Sequence, residues 1–407
     1  MELETELCKI NIQESSVLLI EDTSFFNFES NKGKLKANDP NLGYLNKDRG
    51  IGFGLHTSLL VSRTTCLPVG VGAYEFLVRP FDRNQAHYKD RPADERESSK
   101  WFSVLKRTRD RIPLSCQIIV VCDRESDVYG FINKASHLPN TKLVVRVAQN
   151  RMLASNEYRK LNDALEAQPV IGKYTVELRD QAKRKFRTAC LSVSYVSVAL
   201  ARPASERNQA GLDAEQTVTV VRVWEEDGDL EWKLFTNLPI NNLEDIQDTV
   251  DCYRQRWLIE ENFRIMKTQG FQVESSQMES GKALQRLTSL TFVAAMRTLV
   301  LKEGRDFQQS GSMEPYFNPL EQQVLEALAP RVQGRSGHQL NPHPHGSVAW
   351  ASWIIARLGG WNPGNPKRPA GVITLHRGLK VFEARVAGFA LALEQLANKD
   401  DPFLYIP

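Results

Sequence analysis

Residues Asp251–Lys267 read DCYRQRWLIEENFRIMK, a run without proline or glycine that follows a β-rich stretch and opens a helical one. The spacing predicts a single helix, in which each residue turns about 100° around the axis. Tyr253, Arg256, Glu260 and Lys267 then fall at roughly 0°, −60°, −20° and −40°, on one narrow face. Trp257, Ile259, Phe263 and Met266 supply the apolar contacts of that helix. An aromatic ring, a guanidinium, a carboxylate and an ammonium on one line make a poor solvated face. They suit phosphodiester chemistry, in which a carboxylate ligates metal and cations neutralise non-bridging oxygens. Arg256 and Glu260 are spaced i,i+4, within reach of each other. Lys267 lies about 10 Å beyond Glu260, placed for the next phosphate of a strand. Glu261 points roughly 100° away from Glu260 and serves as its internal control.

One carboxylate does not hold two divalent ions, and two more stand upstream. Ser16–Ile20 (SVLLI) leads into Glu21-Asp22-Thr23, and Gln117–Val121 (QIIVV) leads into Cys122-Asp123-Arg124. Short apolar runs of this kind read as buried strands. Asp22 and Asp123 are thus expected at strand ends, where the ligands of open α/β sheets gather. Mg²⁺ prefers oxygen ligands and takes only one or two carboxylates per ion. Asp22, Asp123 and Glu260, converging with one of them bridging, suit a pair of ions ~3.5–4 Å apart. Further strands at Leu59–Val61 and Val69–Val78, and a helix over Glu95–Thr108, give a mixed sheet covered by helices.

From about Thr141 to Thr236 the texture changes. Thr141–Val147, Tyr174–Leu178, Thr188–Val198, Thr217–Trp224 and Trp232–Phe235 read as strands of an antiparallel sheet. A basic hairpin, Arg179–Arg187 (RDQAKRKFR), lies among them. Beyond Asn242 the chain is helical: after Asp251–Lys267 come Leu284–Glu303, Pro319–Ala329, Ser347–Leu358 and Gly371–Leu396. Ser347 is placed as an N-cap and Gly359-Gly360 as a stop.

The charge balance excludes a histone-like polycation: Lys and Arg number 52, Asp and Glu 49, a net +3. It leaves room for a basic channel on a mixed surface. Six cysteines are scattered without a CxxC pair, which argues against a zinc ribbon and a disulfide scaffold. His338, His343 and His345 have no matching cysteines and are not expected to form a metal site. The opening MELETELC lacks the basic and apolar regions of a signal peptide. The longest apolar stretch, near Leu290–Leu301, is broken by Arg297 and too short to span a bilayer. A reduced, cytoplasmic protein without membrane partners is expected.

Tyr253, Arg256, Glu260 and Lys267 together resemble the YREK signature of bacterial insertion-sequence transposases of the DDE type, insertion-sequence family four. IEDTSFF around Asp22 and VVCDRESDVYGF around Asp123 are similar to that family's two aspartate motifs. LHTSLLVSRTTCLPVG, ESSKW, LVVRVAQNR, WKLFTNLP, WIIARLGGW and GVITLHRGLKVFEARVAGF also resemble family segments in the same order. The resemblance runs from Asp22 to about Leu393.

The resemblance implies an α/β chain with an RNase H-like catalytic core, an inserted antiparallel β subdomain and a C-terminal helical dimerisation region. Residues 1–140 form the first part of the core, 141–240 the β-rich insertion, 241–311 the second part with the YREK helix, and 312–407 the dimerisation region. It implies cut-and-paste transposition with two Mg²⁺ ions, Mn²⁺ substituting, in a homodimer on transposon-end and target DNA. Asp22, Asp123 and Glu260 are then the metal ligands. Tyr253, Arg256, Lys267 and Arg146 contact DNA, and Trp232 stacks on a flipped base. Only residues 1–21 precede Asp22, too few for a helical end-reading domain. A catalytic core and dimerisation tail without its principal sequence reader is therefore expected. Such a chain has an alternative role as a truncated non-catalytic regulator that inhibits a complete transposase by heterodimerisation. An end-independent metal-dependent nuclease is a weaker third reading.

Overall fold

Val17, Leu18, Leu19 and Ile20 are at most 2% exposed. Each such side chain contributes roughly 1.5–3 kcal/mol on burial, and together they open strand β1 (Ser16–Asn27). The computed structural model describes residues 14–46, 49–81, 96–155, 157–180, 185–207, 209–305, 311–364 and 369–399. The chain divides into two compact units. The first comprises Met1–Phe26, Leu42–Ser62 and Gly70–Ile259; the second comprises Asn27–Asn41, Arg63–Val69 and Glu260–Pro407.

The first unit is a mixed α/β structure around a large, mostly antiparallel sheet. Its other strands are β2 (Gly43–Asn46), β3 (Arg49–Ser62), β4 (Pro68–Leu77), β5 (Gln117–Cys122), β6 (Thr141–Arg146), β7 (Gly172–Asp180), β8 (Lys185–Ala201), β9 (Glu215–Glu225) and β10 (Glu231–Thr236). Among the described residues they form one ten-stranded sheet in the order β2-β3-β1-β5-β6-β10-β9-β8-β7, with β4 on β3. β1, β5 and β6 run parallel. Their near-continuous apolar sequence follows, because both faces of a parallel sheet are covered. From β10 onward the pairing is antiparallel. The strands of the β-rich stretch therefore extend the sheet begun by β1 and β5.

Two sequence expectations need correction here. β1 does not stop at Ile20 but continues to Asn27, so Asp22 lies within a strand, although its pairing with β5 runs only to Ile20 and Val121. β3 is far longer than Leu59–Val61. Its glycine-rich half permits close backbone approach: a Cβ on Gly52 would stand 1.9 Å from the Phe26 carbonyl oxygen. The turn of the basic hairpin, residues 181–184, lies outside the described residues. Of its arms, Arg187 is paired with Glu225 at 2.8 Å.

Helix α1 (Lys100–Arg109) follows a 3-10 turn at Glu97–Ser99; Glu95 lies outside the described residues. Its buried Trp101, Val104, Leu105 and Thr108 recur at helical spacing. The short helices α2 (Tyr129–Ser136) and α3 (Leu161–Glu166) were not expected from the sequence. Helix α4 (Leu243–Arg254) starts at Asn242, whose side chain accepts a bond from the Asp245 amide.

The boundary between the units falls within α5 (Trp257–Lys267). The second unit continues with α6 (Gly281–Gly304), α7 (Pro319–Val332), α8 (Val348–Leu358) and α9 (Val372–Lys399). They share a core that includes Val300, Leu325, Ile354, Ile355, Leu375 and Phe382. Arg297, which interrupts the apolar run of α6, reaches Glu321 at 2.8 Å and Glu383 at 3.3 Å, tying α6 to α7 and α9. Ser347 caps α8 as expected, accepting from the Trp350 amide, and Gly359 ends it. Among the described residues no helix is long and apolar enough to cross a membrane.

Helices α8 and α9 cross with their backbones almost touching: a Cβ on Gly378 would lie 1.9 Å from the Ile355 carbonyl oxygen. Backbone cannot move aside as a side chain can. Gly378→Ala is expected to destabilise the chain by roughly 2–3 kcal/mol, measured as a lowered urea midpoint. An unchanged midpoint would refute this close crossing.

Candidate active site

The sheet lines up the predicted residues of the first unit. β1 pairs with β5 through Ile20 and Val121, so continuing that register by two residues puts Asp22 opposite Asp123. β5 pairs with β6 through Cys122 and Val145, and one further residue puts Asp123 opposite Arg146. Arg146 in turn pairs with Leu234 of β10. Asp22, Asp123 and Arg146 thus lie one or two residues beyond paired positions of three neighbouring strands, which stand ~4.8 Å apart. Asp123 caps the 3-10 turn Arg124–Ser126, its Oδ1 accepting from the Glu125 amide at 2.9 Å. Asp22 Oδ1 accepts from the Thr23 amide at 2.7 Å. Arg146 donates to the Glu231 carbonyl at 3.4 Å.

The helix carrying the four-residue face is broken, which corrects the single-helix expectation. α4 ends at Arg254, α5 begins at Trp257, and Gln255 and Arg256 form the joint. There the Arg256 amide bonds the Tyr253 carbonyl at 3.0 Å and the Leu258 amide bonds the Gln255 carbonyl at 2.9 Å. These are tight i→i−3 bonds, which turn the chain by about 120° per residue. Only Glu260 and Lys267, seven residues apart in α5, keep the predicted angular relation. The cause is a shift in the buried stripe. Ile246, Thr249, Val250 and Tyr253 are buried before the joint, and Leu258, Ile259, Phe263 and Met266 after it. An unbroken helix would continue the first set through Trp257, whereas Trp257 is 56% exposed.

The break brings four groups into sequence. The Arg256 guanidinium lies 3.8 Å from Asp22 Oδ2. It stands 5.7 Å from the centre of the Tyr253 ring and 5.8 Å from that of Trp257. Trp232 packs edge-on against Tyr253, with centroids 5.8 Å apart. Tyr253 is 5% exposed, and among the described residues its hydroxyl has no hydrogen-bond partner. A buried hydroxyl in that state costs free energy until something accepts its proton.

Behind Asp22 the strand is anchored by a buried pair. Glu21 Oε2 stands 3.4 Å from His56 Nε2, both side chains fully buried. His56 Nδ1 and the Thr23 hydroxyl are 2.9 Å apart, and the Trp101 ring packs on the imidazole at 4.5 Å. Burial pushes the Glu21 carboxyl well above its ordinary range. Burial, with the nearby Lys100 ammonium, pushes His56 well below its own. Lys100 is itself nearly buried, 3.7 Å from Glu125 on the turn that Asp123 caps. Sequence reasoning missed His56, Lys100 and Trp257 as members of this region. Their only signal was position within the segments LHTSLLV, ESSKW and RQRWLIEE.

In the second unit Glu260 lies in the first turn of α5 and Lys267 in its last. Lys267 Nζ is 4.0 Å from Glu274, and burial lowers its affinity for a proton. Glu261 is engaged with Arg264 and Lys302, the latter at 3.5 Å. Among the described residues no group of three or more His, Cys, Asp or Glu side chains is gathered to hold a metal ion. Asp22 and Asp123 are hard oxygen donors, and Mg²⁺ takes one or two carboxylates per ion.

The sequence matches the family described as the transposase DDE domain over residues 84–297, just over half of the chain. The chain belongs to that family. This DDE transposase carries Asp123, Arg146, Trp232, Tyr253, Arg256, Glu260 and Lys267 inside the matched span, whereas Asp22 precedes it.

The buried pair predicts a pH signature. Between 4.5 and 6.5, the ordinary values of the two groups, unfolding releases a proton from Glu21 and takes one up at His56. The two effects offset in the parent protein. In His56→Gln only Glu21 remains, so stability falls as pH rises through that window; in Glu21→Gln only His56 remains, so stability rises. Each slope, relative to the parent, approaches at most ~1.4 kcal/mol per pH unit. Urea titrations at pH 4.5, 5.5 and 6.5 measure it, and parallel profiles for the two variants would contradict the assignment.

Proposed function

We propose that this DDE transposase cleaves and joins DNA by metal-dependent phosphodiester hydrolysis and strand transfer. In this reading it is a cut-and-paste transposase of the YREK, insertion-sequence family four type. The observation that carries the reading is the contact chain Trp232–Tyr253–Arg256–Asp22. It sets a stacking ring, a buried hydroxyl in need of an acceptor and a guanidinium beside a carboxylate against the interior strands β1 and β10. The parallel β1–β5–β6 trio with aspartates just beyond its paired residues supports an RNase H-like core.

Asp22, Asp123 and Glu260 are the proposed metal ligands. Divalent ions bound there, Mg²⁺ or Mn²⁺, would activate a water or 3′-hydroxyl and stabilise the leaving oxygen. The chain's own groups do the positioning. Arg256 takes a non-bridging phosphate oxygen through charged hydrogen bonds. The Tyr253 hydroxyl donates to the same phosphate and so meets its unfilled hydrogen bond. Trp232 and the exposed Trp257 offer aromatic surfaces to unstacked bases. Arg146 and Lys267 hold neighbouring phosphates. Homodimerisation through the C-terminal helices is supported by the apolar end of α9, where Leu391 and Leu396 are 60% and 59% exposed.

The test is nicking of labelled DNA with Mg²⁺ or Mn²⁺. Asp22→Asn, Asp123→Asn and Glu260→Gln are each expected to lower the rate at least about a hundredfold, while Glu261→Gln keeps most of it. Carboxylate variants as active as the parent would reject the proposal. A parent protein that never nicks but suppresses a complete transposase would establish the regulator role instead.

A further inference from the structure

A cavity of about 610 Å³ opens within the first unit, a size typical of small-molecule sites, roughly 300–1,000 Å³. Its walls start just beyond the paired residues of β5 and β6. Asp127 ends the 3-10 turn that Asp123 caps, and Gln149 and Arg151 follow Arg146 out of β6. The floor is fixed. Arg151 Nε donates to Asp127 Oδ1 at 2.7 Å, and Asp127 Oδ2 accepts from the amides of Ala148 and Gln149 at 2.7 and 2.9 Å.

Three further groups line the space. Glu206 is 8% exposed and holds the Gly130 amide at 2.7 Å through Oε2. Burial raises its carboxyl, while the Gly130 amide and the charges of Arg151, Arg96 and Lys134 pull it back down. The Lys134 ammonium stands 5.6 Å from the centre of the Phe102 ring. A simple anion site would exclude a carboxylate, and an apolar site would have no use for the charges. A ring face, a buried acceptor for N–H groups and cations at the rim together match a nucleotide. Carboxylates accept from base amino groups, aromatic rings stack on bases, and Lys and Arg take phosphates.

We propose that this cavity binds one deoxynucleoside monophosphate unit, with the base against Phe102 and Glu206 and the phosphate toward Lys134 and Arg96. The unit comes either from single-stranded DNA beside the cleavage site or from free nucleotide. The assignment deepens the DNA-handling reading above and rests on it.

The experiment is titration calorimetry of the full chain with each of the four 2′-deoxynucleoside 5′-monophosphates, with 2-deoxyribose 5-phosphate as the control lacking a base. At least one mononucleotide is expected to bind saturably, with the sugar phosphate tenfold weaker or worse. Glu206→Gln and the surface change Lys134→Gln should each weaken binding about tenfold; the second leaves the buried wall intact. Competition by a single-stranded hexanucleotide assigns the site to DNA, and its absence assigns the site to free nucleotide. The proposal is overturned if no mononucleotide saturates, if the sugar phosphate binds equally well, or if Lys134→Gln binds as the parent does. Nicking without nucleotide binding sinks this site and leaves the transposase reading standing; nucleotide binding without nicking does the reverse.

Discussion

Three parallel strands buried on both faces leave the chain few places to put charge. Within β1 and β5 the side chains of Val17–Ile20 and Ile118–Val121 are almost wholly excluded from water, and an ionised group among them would need a partner for every charge. Glu21 and His56 show how the fold handles the exception: the two buried groups face each other, and burial drives both toward neutrality. Asp22, Asp123 and Arg146 lie just beyond the residues through which β1, β5 and β6 pair with one another.

The second constraint is the joint at Gln255 and Arg256. A straight helix would carry Trp257 onward along the buried stripe of α4. The tight turn interrupts that stripe and delivers the Arg256 guanidinium to Asp22 while its flank rests on Tyr253 and Trp257. Arginine suits such a position better than lysine, since its planar group stacks on rings and still presents donors to an oxyanion. Trp232 completes the arrangement because β10 runs antiparallel to β6 and so begins at the edge where β6 ends.

Much of this was legible in the letters. Apolar runs ending on aspartate gave β1 and β5, and Ser347 with Gly359 marked the limits of α8. The start of β6 and the antiparallel strands after it also followed from alternation and turn residues. Other features were not legible, for physical reasons. The break between α4 and α5 contains no proline or glycine, and it shows only as a change in which residues are buried. The first half of β3 hid behind glycines that strand propensity disfavours but that close approach to Phe26 requires. Trp257 was assigned to the interior on hydrophobicity alone, although a large ring next to an arginine serves equally well on an exposed face. His56 is far from Asp22 in sequence and joins it only through strand pairing.

The central claim is that the carboxylates of Asp22 and Asp123 bind a divalent ion and that Arg256 competes for the same negative charge. Titration of Mn²⁺ into the purified chain, followed by the loss of its free electron paramagnetic signal, tests this without any DNA. The account predicts saturable binding that is lost in Asp22→Asn and Asp123→Asn and becomes tighter in Arg256→Gln. Binding of equal strength in all four proteins would contradict it.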